Sequence, residues 1–257
     1  MKGKSFFLNI KMQLKEHKSI LVILIVYFLF FLCSGIHFIF AYKLRNALMS
    51  FLFLLFIPLL FIVEYLFNIE FPPLFILTSL FVACGGILGA CFDVYHLIPF
   101  FDEILHGISG FIFSCLGYAF IKFLFIKKEN NKAFFGAIIM GAMFSLALGL
   151  LWELLEYSIN VLFGFDMLAD TYINDFNSYL LSGTHDKYIA ISNISKTLIY
   201  YGDNEILELN GYLDIGLVDT MNDMLICFFG SLLFIVVTIL SKLKFKKINE
   251  LLLPKVY

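Results

Sequence analysis

SILVILIVYFLFFLCSGIHFIFAY, residues Ser19–Tyr42, contains no Asp, Glu, Lys or Arg. It exceeds the ~20 mostly apolar residues that a helix needs to cross the hydrocarbon core of a bilayer. The apolar core of a cleaved leader is shorter, ~7–15 residues, and is followed by a small-residue cleavage site. This run is longer and has no such site, so it reads as a retained first span behind a basic arm (Lys2, Lys4, Lys11, Lys15, Lys18).

Five more stretches qualify by the same length criterion: Ala47–Phe67, Leu74–His96, Ile104–Ile126, Ala133–Phe163 and Leu217–Leu240. The breaks between them are polar or proline-bearing: Lys43–Asn46, Asn68–Pro73 with Pro72 and Pro73, Pro99, and Lys127–Lys132. The predicted fold class is an all-α polytopic membrane protein of about six transmembrane helices with one long extracytoplasmic loop. Its expected parts are a basic arm (1–18), five spans (19–163), a loop (164–216), a last span (217–241) and a basic tail (242–257). Lysines cluster in the arm, in the Lys127–Lys132 loop and in the tail, which six spans place on one side. By the positive-inside rule both termini are predicted to be cytoplasmic, with Lys43 and Arg45 as a mild exception on the outer side. None of the apolar runs is expected to be broken, and no repeated halves are visible.

The chain has 257 residues, is 61% hydrophobic and only 15% charged, with a mean hydropathy of +0.93. A soluble domain could not cover its surface with so little charge. The net charge of −2 offers no case for nucleic acid as a partner. Cys33, Cys84, Cys91, Cys115 and Cys227 all fall inside apolar runs, which argues against a disulfide framework or a thiolate zinc site. Residues 164–216 differ in kind, rich in Asn, Asp, Ser, Thr and Tyr. Two apolar patches there, Tyr188–Ile191 and Thr197–Tyr201, read either as a short β-hairpin or as parts of a loose loop.

Ionisable groups within spans are costly, about 2.5–3.5 kcal/mol each at a helix centre on insertion scales, so their positions carry information. Asp102 and His106 are spaced i,i+4, Glu153 and Glu156 i,i+3, and Asp219 and Asp223 i,i+4, which puts each pair on one helix face. Counted from Ala133, Glu153 is ~30 Å along its helix at 1.5 Å per residue, close to the outer side. Three helices thus bring acids or imidazole to a similar outer depth, with Asp93 and His96 nearby as candidate members of a surrounding shell. Crowded carboxylates in low dielectric must bind a cation, share protons or pair with a base. Few lysines or arginines are close in sequence, which favours a cation or shared protons. Carboxylates with one or two imidazoles suit zinc, manganese or iron. Each residue also has an ordinary reading: interfacial polarity for Asp93, His96, Asp102 and Glu103, capping for Asp219, interhelical hydrogen bonding for Glu153 and Glu156. Gly107, Gly110, Gly117, Gly136, Gly141, Gly149 and Gly230 are expected to permit close helix packing, and Gly85-Gly86 to loosen the third span. Trp152 reads as an interfacial anchor or as a wall of the polar pocket.

The motif FDEILHGISGF (Phe101–Phe111) resembles the F-D-K-x-x-H-F element of the bacterial YjdF-like inner-membrane proteins. WELLEY (Trp152–Tyr157) resembles their later acidic helix, and VDTMNDML (Val218–Leu225), with Gly230 following, their D-T-x-x-D-M element. A looser likeness extends to VanZ-like membrane proteins. The resemblance implies a multi-pass protein of the bacterial cytoplasmic membrane and supplies no reaction. Glu103 stands where that family has lysine, and residues 164–216 look like an insertion. Together these features give three expectations. The first is a metal-dependent enzyme on lipid or lipid-linked envelope substrates, with Asp102, His106, Asp219 and Asp223 as ligands and Glu153 or Glu156 as a further ligand or the catalytic base. The second is an ion- or proton-coupled transporter. The third is a non-catalytic envelope-binding scaffold.

Overall fold

A backbone in hydrocarbon has no water to bond, and an α-helix satisfies its amides within one segment, so apolar runs of this length become helices. The computed structural model describes residues 6–126, 130–243 and 250–257. In chain order the elements are α1 (Phe6–Glu16), α2 (Lys18–Phe40), α3 (Leu44–Phe53), α4 (Phe56–Leu66), β1 (Ile69–Glu70), α5 (Pro73–Phe92), α6 (Val94–Leu97), α7 (Phe101–Phe125), α8 (Asn131–Phe163), β2 (Thr171–Ile173), β3 (Phe176–Ser178), α9 (Tyr179–Ser182), β4 (Ile189–Ile191), β5 (Thr197–Tyr201), β6 (Glu205–Leu209), β7 (Tyr212–Asp214), α10 (Leu217–Leu243) and β8 (Lys255–Val256). Six stretches among the described residues are long and apolar enough to cross a membrane: Lys18–Phe40, Leu44–Leu66, Pro73–Phe92, Phe101–Phe125, Asn131–Phe163 and Leu217–Lys242. The chain is therefore the six-span helical membrane protein that its apolar runs predict. Of the basic residues that set the expected orientation, Lys2, Lys4, Lys127, Lys128, Lys244, Lys246 and Lys247 lie outside the described residues.

Three local expectations are corrected. The second span is broken between α3 and α4, because Pro58 has no amide hydrogen and its ring collides with the Leu54 carbonyl. Tighter turns replace the lost ladder, with Leu54 N donating to Phe51 O at 3.2 Å and Ile57 N to Leu54 O at 3.3 Å. The Phe53 carbonyl released there accepts the Tyr27 hydroxyl of α2 at 3.0 Å. The third span ends at Phe92, since Asp93 takes a left-handed backbone (φ +62°) that Asp tolerates and a helix does not. Gly85 and Gly86 do not interrupt α5; Gly85 leaves room for the Leu105 side chain.

The chain divides into two units, Met1–Leu151 with Asp223–Tyr257, and Trp152–Asn222. The first unit is built on an apolar core that includes Phe31, Phe71, Ile76, Cys115, Ile138 and Phe234. At one end, β8 pairs antiparallel with β1, Ile69 opposite Val256 and Glu70 opposite Lys255. Gln13 of α1, buried, donates its side-chain amide to Glu64 at 2.8 Å and to the Phe71 carbonyl at 3.2 Å. Glu64 also accepts the Phe71 amide at 2.6 Å. The Tyr257 hydroxyl donates to Glu70, whose other oxygen lies 3.9 Å from both Lys255 Nζ and His17 Nε2. So α1 and the segment carrying β8 meet at the same end, as an even number of spans requires.

In the second unit the two apolar patches do not pair with each other. Residues Ile189–Ile191 (β4) pair with Phe176–Ser178 (β3), and Thr197–Tyr201 (β5) with Glu205–Leu209 (β6). The tight turn between β5 and β6 uses Gly202 (φ +56°) and Asn204 (φ +82°), residue types that accept a left-handed backbone. β2 pairs with β7, closing the segment back on itself before α10 begins. Asp214 Oδ2 accepts the Val218 amide at 2.8 Å and so caps that helix start.

Candidate functional site

Glycine brings α7 and α10 into contact. A Cβ on Gly230 would stand 2.1 Å from the Gly107 carbonyl oxygen, and one on Gly110 would stand 2.2 Å from Cys227 O, distances that only glycine permits. Gly141 of α8 approaches the α7 backbone at Ser114 in the same way, and Gly149 leaves room for the Cys227 sulfur. The Gly110 carbonyl is a shared acceptor for three serine hydroxyls, Ser114 at 2.7 Å, Ser145 of α8 at 2.8 Å and Ser231 of α10 at 3.3 Å. All three serines are buried. Gly136 is the exception to the packing expectation: nothing stands within 4 Å of its Cβ position, because that side of α8 faces open space.

One turn along α7 from Gly110, the close seam brings ionisable groups together. His106 Nε2 lies 3.9 Å from Asp102 Oδ1 and 3.8 Å from Asp223 Oδ2 of α10. One ligand atom from each of the three residues fits within 4.8 Å of the others. Asp223 is 2% exposed, His106 is largely buried, and Asp102 is partly open. Asp102 also accepts a hydrogen bond from Tyr95 of α6. Separations of 3.8–3.9 Å are longer than hydrogen bonds, which end near ~3.2 Å. They are short enough for one ion to touch both atoms, since ligands ~2.0–2.2 Å from a metal are at most about 4.4 Å apart. Two carboxylates and an imidazole fit a divalent cation such as zinc, manganese or iron. The same arrangement can hold a proton on His106 between two acids.

The remaining predicted residues are placed as follows. Asp219 accepts the Ala169 amide at 2.8 Å, fastening the chain that follows α8 to the start of α10. Glu153 is buried at 4% exposure and Glu156 is partly buried, on the α8 face that also carries Ser145 and Gly149. Trp152, Leu154, Leu155 and Tyr157 on its other faces are exposed, the pattern of a span with one inward stripe. Asp93 and His96 lie at the surface with their side chains 2.6 Å apart.

Sequence reading missed Tyr95, the three serines and Glu64. A serine four residues from a glycine or acid on the same stripe is the signal for Ser114 and Ser145. Glu64 was visible as a carboxylate inside the second apolar run. A second acid–histidine group, Glu16, His17 and Glu70, lies at the α1–β8 end. There Lys255 and the Tyr257 hydroxyl already engage Glu70, so it reads as a structural clasp. Partial burial and the bond to Glu70 push the Tyr257 hydroxyl's pKa upward.

No curated protein and no solved structure matches the chain. The looser likeness to VanZ-like proteins accordingly finds no support in these comparisons. A family model described as "Predicted membrane protein (DUF2238)" matches residues 19–243, from the first span to the last and including the whole α7–α10 seam. With that match over most of its length, the chain belongs to the DUF2238 family of membrane proteins.

Proposed function

We propose that this membrane protein is a cation-dependent enzyme acting on the polar head of a lipid or lipid-linked envelope substrate, with Asp102, His106 and Asp223 holding a divalent metal. The observation that carries the reading is the approach of three ligand atoms, from two helices, to within 4.8 Å in the first turns of α7 and α10. Such a cation supplies Lewis acidity and can activate water. Asp223 and His106 would fix it from the buried side, and Tyr95 would orient the more open Asp102. Asp219 as a further ligand, and Glu153 and Glu156 as proton-transfer groups, rest on helical spacing and depth along their spans. The setting proposed is the bacterial cytoplasmic membrane with both termini inside, which agrees with the YjdF-like motifs. Metal analysis of the purified protein tests the reading. One zinc, manganese or iron per chain is expected in the wild type, lost in His106→Ala and in Asp223→Ala; a metal-free protein, or one indifferent to both changes, refutes it.

One observation favours a second reading, ion- or proton-coupled transport: the second span is broken within its length, as transporter helices often are. Pro58 accounts for that break and the released backbone is satisfied, so the reading ranks second. Proton or cation flux in proteoliposomes that vanishes in Glu156→Gln would reverse the ranking.

A further inference from the structure

The glycine contact that assembles the cluster also opens the other side of the seam. Because α7 and α10 touch at Gly107 and Gly230, no side chain fills the space beside them. A groove of about 500 Å³ results, walled by α5, α7 and α10. That volume is within the ~300–1,000 Å³ of small-molecule sites. Its walls are apolar, with Phe111, Ile226, Phe229 and Leu233 prominent. Thr78 also lines it, but its hydroxyl is satisfied by the Leu74 and Phe75 carbonyls of its own helix. Leu74 and Leu252 belong to one end and Glu103, in the first turn of α7, to the other.

We propose that this groove holds one hydrocarbon tail of a membrane lipid, which enters sideways from the bilayer and sets its polar head at Glu103, beside the Asp102–His106–Asp223 cluster. Phe229 and Leu233 are each more than half exposed on the surface of spanning helices, where the surrounding medium is hydrocarbon. Below Glu103 the described lining side chains are apolar apart from the satisfied Thr78 hydroxyl, and such a slot is filled by methylene groups, since an empty one forfeits dispersion contacts on every wall. From Glu103 to Ile112 the groove follows α7 for about 14 Å at 1.5 Å per residue. That is the depth of a single leaflet, half of the ~30 Å core. Its polar end adjoins the cluster on both helices: Glu103 follows Asp102, and Ile226 is one turn below Asp223. A tail seated here therefore delivers its head to that cluster without passing through water. The groove stands on its own geometry, and only the fate of the head rests on the cation-site reading.

Native mass spectrometry of the full chain, purified in mild detergent and exchanged into lipid-free micelles, tests this. The wild type is expected to keep about one lipid per chain, as a formed pocket does. Leu233→Trp on α10 and Thr78→Trp on α5 each fill the slot and are expected to lower retention about tenfold. Leu150→Trp, at an exposed position on α8, is expected to keep it. Extraction and chromatography of the retained molecule separate acyl from prenyl tails. Should both filling variants fail to accumulate, benzoylphenylalanine in place of Phe229 in the otherwise native chain is expected to crosslink one defined lipid rather than the bulk mixture. Retention equal in filling and control variants, crosslinks that mirror bulk lipid, or a dimer mass with no lipid overturns the proposal. Metal content measured on the same samples separates the two readings, because the filling variants leave all three ligands in place.

Discussion

Replacing Gly230 by Ala tests whether the α7–α10 contact is as close as described. The added Cβ would stand 2.1 Å from the Gly107 carbonyl oxygen, a backbone atom that cannot swing aside. A tolerable carbon–oxygen approach is ~3.3–3.6 Å, so the helices must separate by about 1.2 Å. Ser231, the next residue, reaches the Gly110 carbonyl at 3.3 Å, and that bond fails after a much smaller shift. Its hydroxyl keeps the Cys227 carbonyl at 3.1 Å, so the loss is one shared bond and no orphaned group. Overpacking costs ~1–3 kcal/mol and the bond about 0.5–1.5 kcal/mol, together roughly 1.5–4.5 kcal/mol. The matched control is Gly136→Ala on α8, where a Cβ meets nothing within 4 Å. That change should leave stability unaltered or raise it by up to ~1 kcal/mol through helix propensity. Equilibrium unfolding in mixed micelles, followed by circular dichroism, gives both values on one scale. If Gly230→Ala falls within about 0.5 kcal/mol of Gly136→Ala, the two backbones are not in contact and the reasoning fails.

Two further outcomes concern the clasp at the α1–β8 end. Gln13→Ala removes a donor to Glu64 inside a buried network, leaving the Phe71 amide, and is expected to cost ~1–3 kcal/mol locally, read as faster amide exchange over Phe6–Glu16 with exchange in α7 unchanged. The second is a pH effect. The Tyr257 hydroxyl titrates higher in the folded chain than when free, so the stability it lends is full below the ordinary tyrosine range near pH ~10 and fades as pH rises toward the folded value. Protection of the β1 and β8 amides, taken relative to their intrinsic exchange rates, should therefore fall above pH ~10 in the wild type and lose that dependence in Tyr257→Phe; an unchanged profile would refute the link.

The span count and the helix faces of the polar pairs were readable from the chain alone. Apolar length dictates a helix where no water can bond the backbone, and a period of 3.6 sets Asp102 and His106 on one side. Pro58 stands in the second run, yet the break it makes was missed, because apolar length alone marks a span and one ring is enough to interrupt it. Which faces meet was not readable. In lipid, apolar residues serve both the core and the outside, so Phe31 is fully buried and Phe40 is 78% exposed although both belong to the same uninterrupted run. Hydrophobic pattern therefore does not orient these helices. Glycine-to-carbonyl contact orients α7 and α10, and that contact selects Asp223 for His106 while leaving a slot on the other side of the seam. The strand partners within 164–216 are tertiary for a similar reason: patches of comparable β-propensity carry no label for their partners, and the pairing follows from the turns and from β2 meeting β7. Composition and length determined that this chain lives in a membrane and how often it crosses; close backbone packing decided which of its few charged groups share a site.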